Sequence, residues 1–247
     1  MKLINILYLE IFRNTLEKSF KDSPFGPARY DVILMFRIIL LQQWYELSDP
    51  EAEHQISDRI TFREFVGLSL MDKVPDETTI GNFRNHLMQT GIYEWLFEVL
   101  NDELDKRHVM VNQGSIIDST FIKAPKGKRK NGEKTDPDAK WGKKGHGYSM
   151  HNNVNIGSKL IRDIESTSAE VHDSEPDMMM GDEKSLFGDK AYFDDNKKRE
   201  MRKNGIYCGI LDKAKRNHPL STKQKKLNKK KSRVRSAVEH PYAQIKY

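Results

Sequence analysis

The amino-acid sequence predicts an α/β (α+β) chain, with an all-helical N-terminal domain over residues 1–107 and a domain of alternating strands and helices over residues 108–247. Three observations carry this expectation. Over the first hundred or so residues apolar side chains recur at helical spacing and strand signals are nearly absent. Beyond His108, β-branched residues and polar alternation set in. A chain of 247 residues buries one sizeable core and leaves room for a second, smaller one.

In the N-terminal part, Asp31 to Glu46 and Ile92 to Leu104 carry apolar residues at near-helical spacing. Ser48-Asp49-Pro50-Glu51 is a helix start, with Ser48 or Asp49 able to cap and Pro50 at the first helical position. Pro75-Asp76-Glu77-Thr78-Thr79 is another and leads into Ile80 to Leu87. Two short helices with a tight connection, the second bearing Thr78, Thr79, Asn82, Arg84 and Asn85 on its polar side, fit a helix-turn-helix that contacts phosphates or base edges. An ordinary helical bundle fits the same residues equally well.

In the C-terminal part the expected strands are Val109 to Ile122, an antiparallel pair within Tyr148 to Ile164 turning at Gly157-Ser158, Ser185 to Lys190, and Ile206 to Leu211. A polar helix is expected over Asp195 to Asn204, ending before Gly205. The expected order is β, β, β, helix, β, helix, β, helix. Lys223 to Lys231, inside a basic insertion near 213–232, reads as a mobile loop or an exposed helix.

Charge is concentrated within a net +6: from Lys197 to Tyr247 there are 17 Lys and Arg against three Asp and Glu. Lys123 to Lys144 holds nine against three. Two such runs flanking the same carboxylates point to phosphate-contacting surfaces, where one alone would read as a solvated face. The longest apolar run, Val32 to Leu41, is interrupted by Arg37 and is too short to span a membrane. The first residues lack the pattern of a secretory signal, and a single cysteine, Cys208, excludes an internal disulfide framework. The expected location is cytoplasmic and nucleoid-associated.

Asp118 closes the run Ser115-Ile116-Ile117, and Asp189 closes Leu186-Phe187-Gly188. A carboxylate at the end of an apolar strand is costly to bury unless something positive neutralises it, and a metal ion is the usual remedy. Each aspartate alone reads more readily as a cap of the following turn. Arg235, Glu239 and Lys246 lie four and seven residues apart, which at about 100° per residue places them within roughly a 60° sector of one helix. Val234, Val238, Tyr242 and Ile245 can anchor that helix on a sheet, so that Glu239 completes a cluster with Asp118 and Asp189. Without the aspartates, Arg235 and Glu239 are an ordinary surface ion pair.

Gly114 to Lys123, Gly188-Asp189-Lys190-Ala191-Tyr192 and Arg233-Val234-Arg235-Ser236-Ala237-Val238-Glu239-His240 resemble insertion-sequence transposases of the IS-five type. Thr167 to Ser174, with Val171-His172-Asp173, is similar to them too, and Tyr30 to Leu87 is similar to the helical N-terminal domain of that group, so the likeness covers nearly the whole chain. The resemblance implies an RNase H-like mixed β-sheet flanked by helices. It implies a catalytic triad of the DDE class, matched here by Asp118, Asp189 and Glu239. It also implies that Arg235 and Lys246 bind DNA ends. Lys190 and Arg84 join them as expected DNA contacts. Ser232 stands where the related pattern often has Tyr, and family members generally continue beyond the position of Lys246, so a C-terminally truncated or frameshifted copy, or half of a split product, is expected.

Such a triad suits two Mg²⁺ or Mn²⁺ ions, because hard cations prefer oxygen ligands and two of them serve in-line phosphodiester displacement. The expected partners are the terminal inverted repeats and target DNA, with the protein acting as a homodimer and no membrane involved. Asp173, Asp194 and Asp195 read as helix caps and Asp136 and Asp138 as loop residues, while His146, His151, His172 and His240 lack zinc-ligand spacing. Two alternatives stand beside this reading: a nuclease of the same fold that only hydrolyses, and a truncated, non-catalytic protein that binds transposon ends as a repressor.

Overall fold

A computed structural model of the chain describes residues 9–20, 29–110, 113–127, 135–214 and 218–236. It divides into two compact units, 1–103 and 104–247, four residues before the boundary expected from sequence.

The first unit is helical among its described residues: α1 (Arg13–Ser19), α2 (Val32–Tyr45), α3 (Asp49–Asp58), α4 (Ile60–Val66), α5 (Glu77–Gln89) and the start of α6 (Ile92–Lys106). Asp31 caps α2, its carboxylate accepting from the amides of Ile33 at 2.9 Å and Leu34 at 3.1 Å. α2 is the central helix, with Val32, Ile33, Met35, Phe36, Ile38, Ile39 and Leu41 all buried. The starts of α3 and α5 are those read from sequence, with Ser48 and Asp76 as their caps. One expectation fails: α4 and α5 are joined by residues 67–76, too long a connection for the tight turn of a helix-turn-helix.

The second unit is built on a six-stranded mixed sheet: β1 (Ser115–Lys123), β2 (Lys140–Gly142), β3 (Gly145–Asn155), β4 (Ile161–Ser168), β5 (Ser185–Gly188) and β6 (Tyr207–Ile210). β3 lies antiparallel to β1, β2 and β4. β1, β5 and β6 run parallel. A parallel pair needs a crossover, and α7 (Asp195–Lys203) supplies it between β5 and β6, capped by Asp194 as expected. α8 (Thr222–Arg235) follows β6.

Successive side chains on a strand leave opposite faces, and two cores result. Ile117, Leu186, Tyr192 and Met201 pack on one face, where Met201 of α7 lies. Ile116, Val154 and Phe187 pack on the other, where Val234 of α8 joins them.

Two expectations need correction here. No helix separates the third expected strand from β5; residues 169–184 form an irregular connection, so Asp173 caps no helix. That connection is held by Glu183, whose carboxylate accepts from the amides of Met180 at 2.9 Å and Gly181 at 2.8 Å. The short strand β2 was not foreseen. Lys223 to Lys231 takes the exposed-helix alternative, within α8, which runs on to Arg235 and is opened by a capping box between Ser221 and Gln224.

Candidate active site

The parallel ladder between β1 and β5 ends with Ile117 opposite Gly188. Asp118 and Asp189 are the next residues on these two adjacent strands. Ile116 and Phe187, two positions earlier, pack with Val234 of α8, so by strand alternation both carboxylates leave the sheet on the α8 side. Gly188 permits this close pairing, since a Cβ there would come within 2.9 Å of Ile117 Cγ1.

Asp118 is half-buried and accepts a hydrogen bond from the Ser119 amide at 3.0 Å. Burial pushes its carboxyl above the usual range, and the neighbouring charge of Asp189 adds to this. The Ser119 amide, Arg235 and Lys144 pull the other way without cancelling the rise. Asp189 makes different contacts. Its Oδ1 accepts from the Lys190 amide at 2.6 Å, capping a single 3-10 turn over Lys190–Tyr192, and the same oxygen lies 3.3 Å from Arg235 Nη1.

Of the residues expected at the site, the fold brings together Asp118, Asp189 and Arg235, with Lys190 exposed in the adjoining turn. Glu239 and Lys246 lie outside the described residues. Among the described residues no group of three or more His, Cys, Asp and Glu gathers. Arg84 belongs to the helical unit, where its guanidinium grips both carboxylate oxygens of Asp49, at 2.8 Å for Nη2 to Oδ2, and ties α5 to α3.

Several neighbours escaped the sequence reading. On the face opposite the carboxylates, His151 Nδ1 lies 3.4 Å from Tyr192 Oη, and His151 Nε2 lies 3.0 Å from Thr167 Oγ1. Burial lowers the basicity of His151 and drives the Tyr192 hydroxyl far above its ordinary range. Nearby, a cleft of about 420 Å³ is bordered by Phe121, Trp141, Lys144 and Asp173. Polar residues in an inward-facing strand were the available signal, and β3 carries them at Ser149, His151, Asn152 and Asn153.

Two adjacent carboxylates, one of them poorly solvated and raised by its like-charged neighbour, form a donor set that a divalent cation would relieve.

Comparison with known families bears directly on this site. Residues 2–86 match a family model described as "Transposase domain (DUF772)", and residues 110–247 match one described as "Transposase DDE domain". The chain belongs to the DDE transposases. Its second unit is therefore an α/β RNase H-like DDE domain, preceded by the helical region that the first match covers. The transposase has DNA as its partner, and divalent metal ions are general to its family. Among the described residues, no helix of the transposase is long and apolar enough to cross a membrane.

Proposed function

We propose that this chain is an insertion-sequence transposase of the IS-five type, which cleaves the ends of its element and joins them to target DNA. Asp118, Asp189 and Glu239 are the acidic triad in this reading, and Arg235, Lys246, Lys190 and Arg84 contact DNA. The observation that carries it is the β1–β5 register, which sets Asp118 beside Asp189 on the face where α8 delivers Arg235.

The three carboxylates would hold two Mg²⁺ or Mn²⁺ ions, which supply activation of the attacking hydroxyl and stabilisation of the leaving oxygen in an in-line displacement. The protein's own contribution is placement. β1 and β5 fix the two aspartates on rigid backbone. Ser119 and Lys190 each donate a backbone amide to one oxygen of the neighbouring carboxylate, which orients it. Arg235, paired with Asp189 in the free chain, is positioned to take a phosphate oxygen in a charge-assisted contact when DNA arrives. Action as a homodimer on the two element ends and residence at the nucleoid complete the reading.

Strand cleavage of DNA carrying the element ends, with Mg²⁺ or Mn²⁺, tests it. Asp189→Ala is expected to lower cleavage by about a thousandfold or more, as loss of a group acting on the transition state does, while DNA affinity changes little. Equal loss of cleavage and affinity would remove Asp189 from the triad. Binding without cleavage by the parent chain would favour an end-binding repressor instead.

A further inference from the structure

Beside Asp118 stands a buried polar group with no hydrogen-bond partner among the described residues. Asn152 on β3 is directly opposite Asp118 on β1, so the two side chains share the α8-side face with Cβ atoms about 4.5–5.5 Å apart. Asn152 is 0% exposed, and among the described residues neither its amide oxygen nor its amide nitrogen has a hydrogen-bond partner. On that face its neighbours along β3 are Met150 and Val154, and Ile164 lies opposite it on β4.

An unpartnered buried amide costs about 1–3 kcal/mol, which a leucine of similar size would avoid. The next residue shows the contrast. Asn153 faces the other way, and its Nδ2 donates to the Met178 carbonyl at 2.7 Å and to Glu183 Oε1 at 3.0 Å, so that only its Oδ1 is unpartnered among the described residues. Thr120, two positions beyond Asp118 on the same face, is also buried, with a hydroxyl that has no partner among the described residues. Unpartnered polar atoms on this face thus flank Asp118 at Asn152, on the side away from Asp189, and at Thr120, farther along β1.

We propose that Asn152 is a further ligand residue of this centre, giving its amide oxygen, directly or through one ordered water, to the divalent cation held by Asp118. The inference rests on the acidic-triad reading above. Amide carbonyl oxygens accompany carboxylates around hard cations. A neutral donor adds an oxygen without placing a third negative charge beside two crowded carboxylates. The burial cost in the free chain then reflects a site shaped for its loaded state.

The test uses the full chain without DNA and measures Mn²⁺ affinity together with thermal unfolding in a chelator. Asn152→Leu is expected to weaken Mn²⁺ binding about tenfold or more. In the chelator it should unfold about 2–4 °C higher than the parent, because it removes the unsatisfied amide. Asn152→Asp keeps an oxygen donor of the same shape and should bind Mn²⁺ at least as well as the parent, while unfolding lower in the chelator. Asn152→Leu binding Mn²⁺ within about twofold of the parent overturns the proposal, and so does its unfolding below the parent, since a purely structural asparagine behaves that way. Should the leucine variant not fold at all, weakened Mn²⁺ binding by Asn152→Asp overturns it equally. Asp118→Asn separates the two readings. If it abolishes binding while Asn152→Leu does not, the inference alone fails; if Asp118→Asn leaves binding intact, or the parent binds no Mn²⁺, the acidic-triad reading fails and takes the inference with it.

Discussion

Single carboxylates in this chain do different work according to what surrounds them, and Asp49 is a counterpart to Asp118. Burial alone would raise the Asp49 carboxyl, but the Arg84 guanidinium and the Gln42 amide, at 2.7 Å, outweigh it and hold the group below its ordinary value of 3.8. A carboxyl depressed in the folded state stabilises the fold above its unfolded value and loses that contribution as pH falls through its folded value. Arg84→Ala is therefore expected to cost about 1 kcal/mol near neutral pH, a figure kept small because the Arg84 side chain is 35% exposed. The gap between variant and parent should close below pH 3.8, where Asp49 takes up its proton in both. Thermal unfolding of both proteins from neutral to strongly acid pH checks this. A gap that persists at the acid end would assign the loss to packing of the arginine stem.

At the scale of elements, α8 decides how the site is assembled. It docks through polar contacts on one side: Asn228 exchanges two hydrogen bonds of 3.0 Å with the Asp212 backbone, and the buried Lys231 donates to the Ile210 carbonyl at 2.7 Å and lies 3.5 Å from Asp212 Oδ2. Val234 and Arg235 follow one turn on and reach the sheet core and Asp189. Lys231→Met keeps the stem but strips Asp212 and the Ile210 carbonyl of a partner. It is expected to cost about 3 kcal/mol, as removal of one member of a buried pair does, and to lower the urea midpoint accordingly. An unchanged midpoint would mean that Lys198, 2.9 Å from Asp212, suffices alone.

This docking explains what the sequence did and did not disclose. Apolar periodicity cannot reveal a helix whose contact stripe includes Asn228 and Lys231, so Lys223 to Lys231 read as loop or exposed helix, although Ser221 and Gln224 spell a capping box. The strands bearing Asp118 and Asp189 were legible because Ile-Ile and Leu-Phe precede them; their adjacency was not, because register between strands far apart in sequence is written in tertiary contacts. The caps at Ser48, Asp76 and Asp194 were legible because capping is local chemistry. Asn152 was invisible as a site residue because a polar residue in a strand ordinarily marks the solvent side.

For the whole molecule, the question is how much of its positive charge is available to a polyanion. Of the 17 basic residues after Asn196, several are engaged within the fold: Lys197 with Asp177 at 3.3 Å, Lys198 and Lys231 with Asp212, and Arg235 with Asp189. Others are exposed, among them Lys225, Lys226, Lys229 and Lys230 along α8. An exposed lysine that meets a phosphate releases a condensed counterion, and each such contact adds about 0.9 to the slope of log affinity against log salt on duplex DNA. The affinity of the parent chain for duplex DNA should therefore fall steeply with ionic strength. Replacing these four lysines by glutamine should leave thermal stability nearly unchanged, because surface substitutions move it by about 0.5 kcal/mol or less. If all four contact phosphates, the slope should drop by roughly 3 to 4. The loss should be similar across sequences, because phosphate contacts carry no base information. Titrations at three or more salt concentrations measure the slope for both proteins. An unaltered slope would mean that α8 turns its lysines to solvent and that DNA is held by the basic run around Lys123 to Lys144 instead.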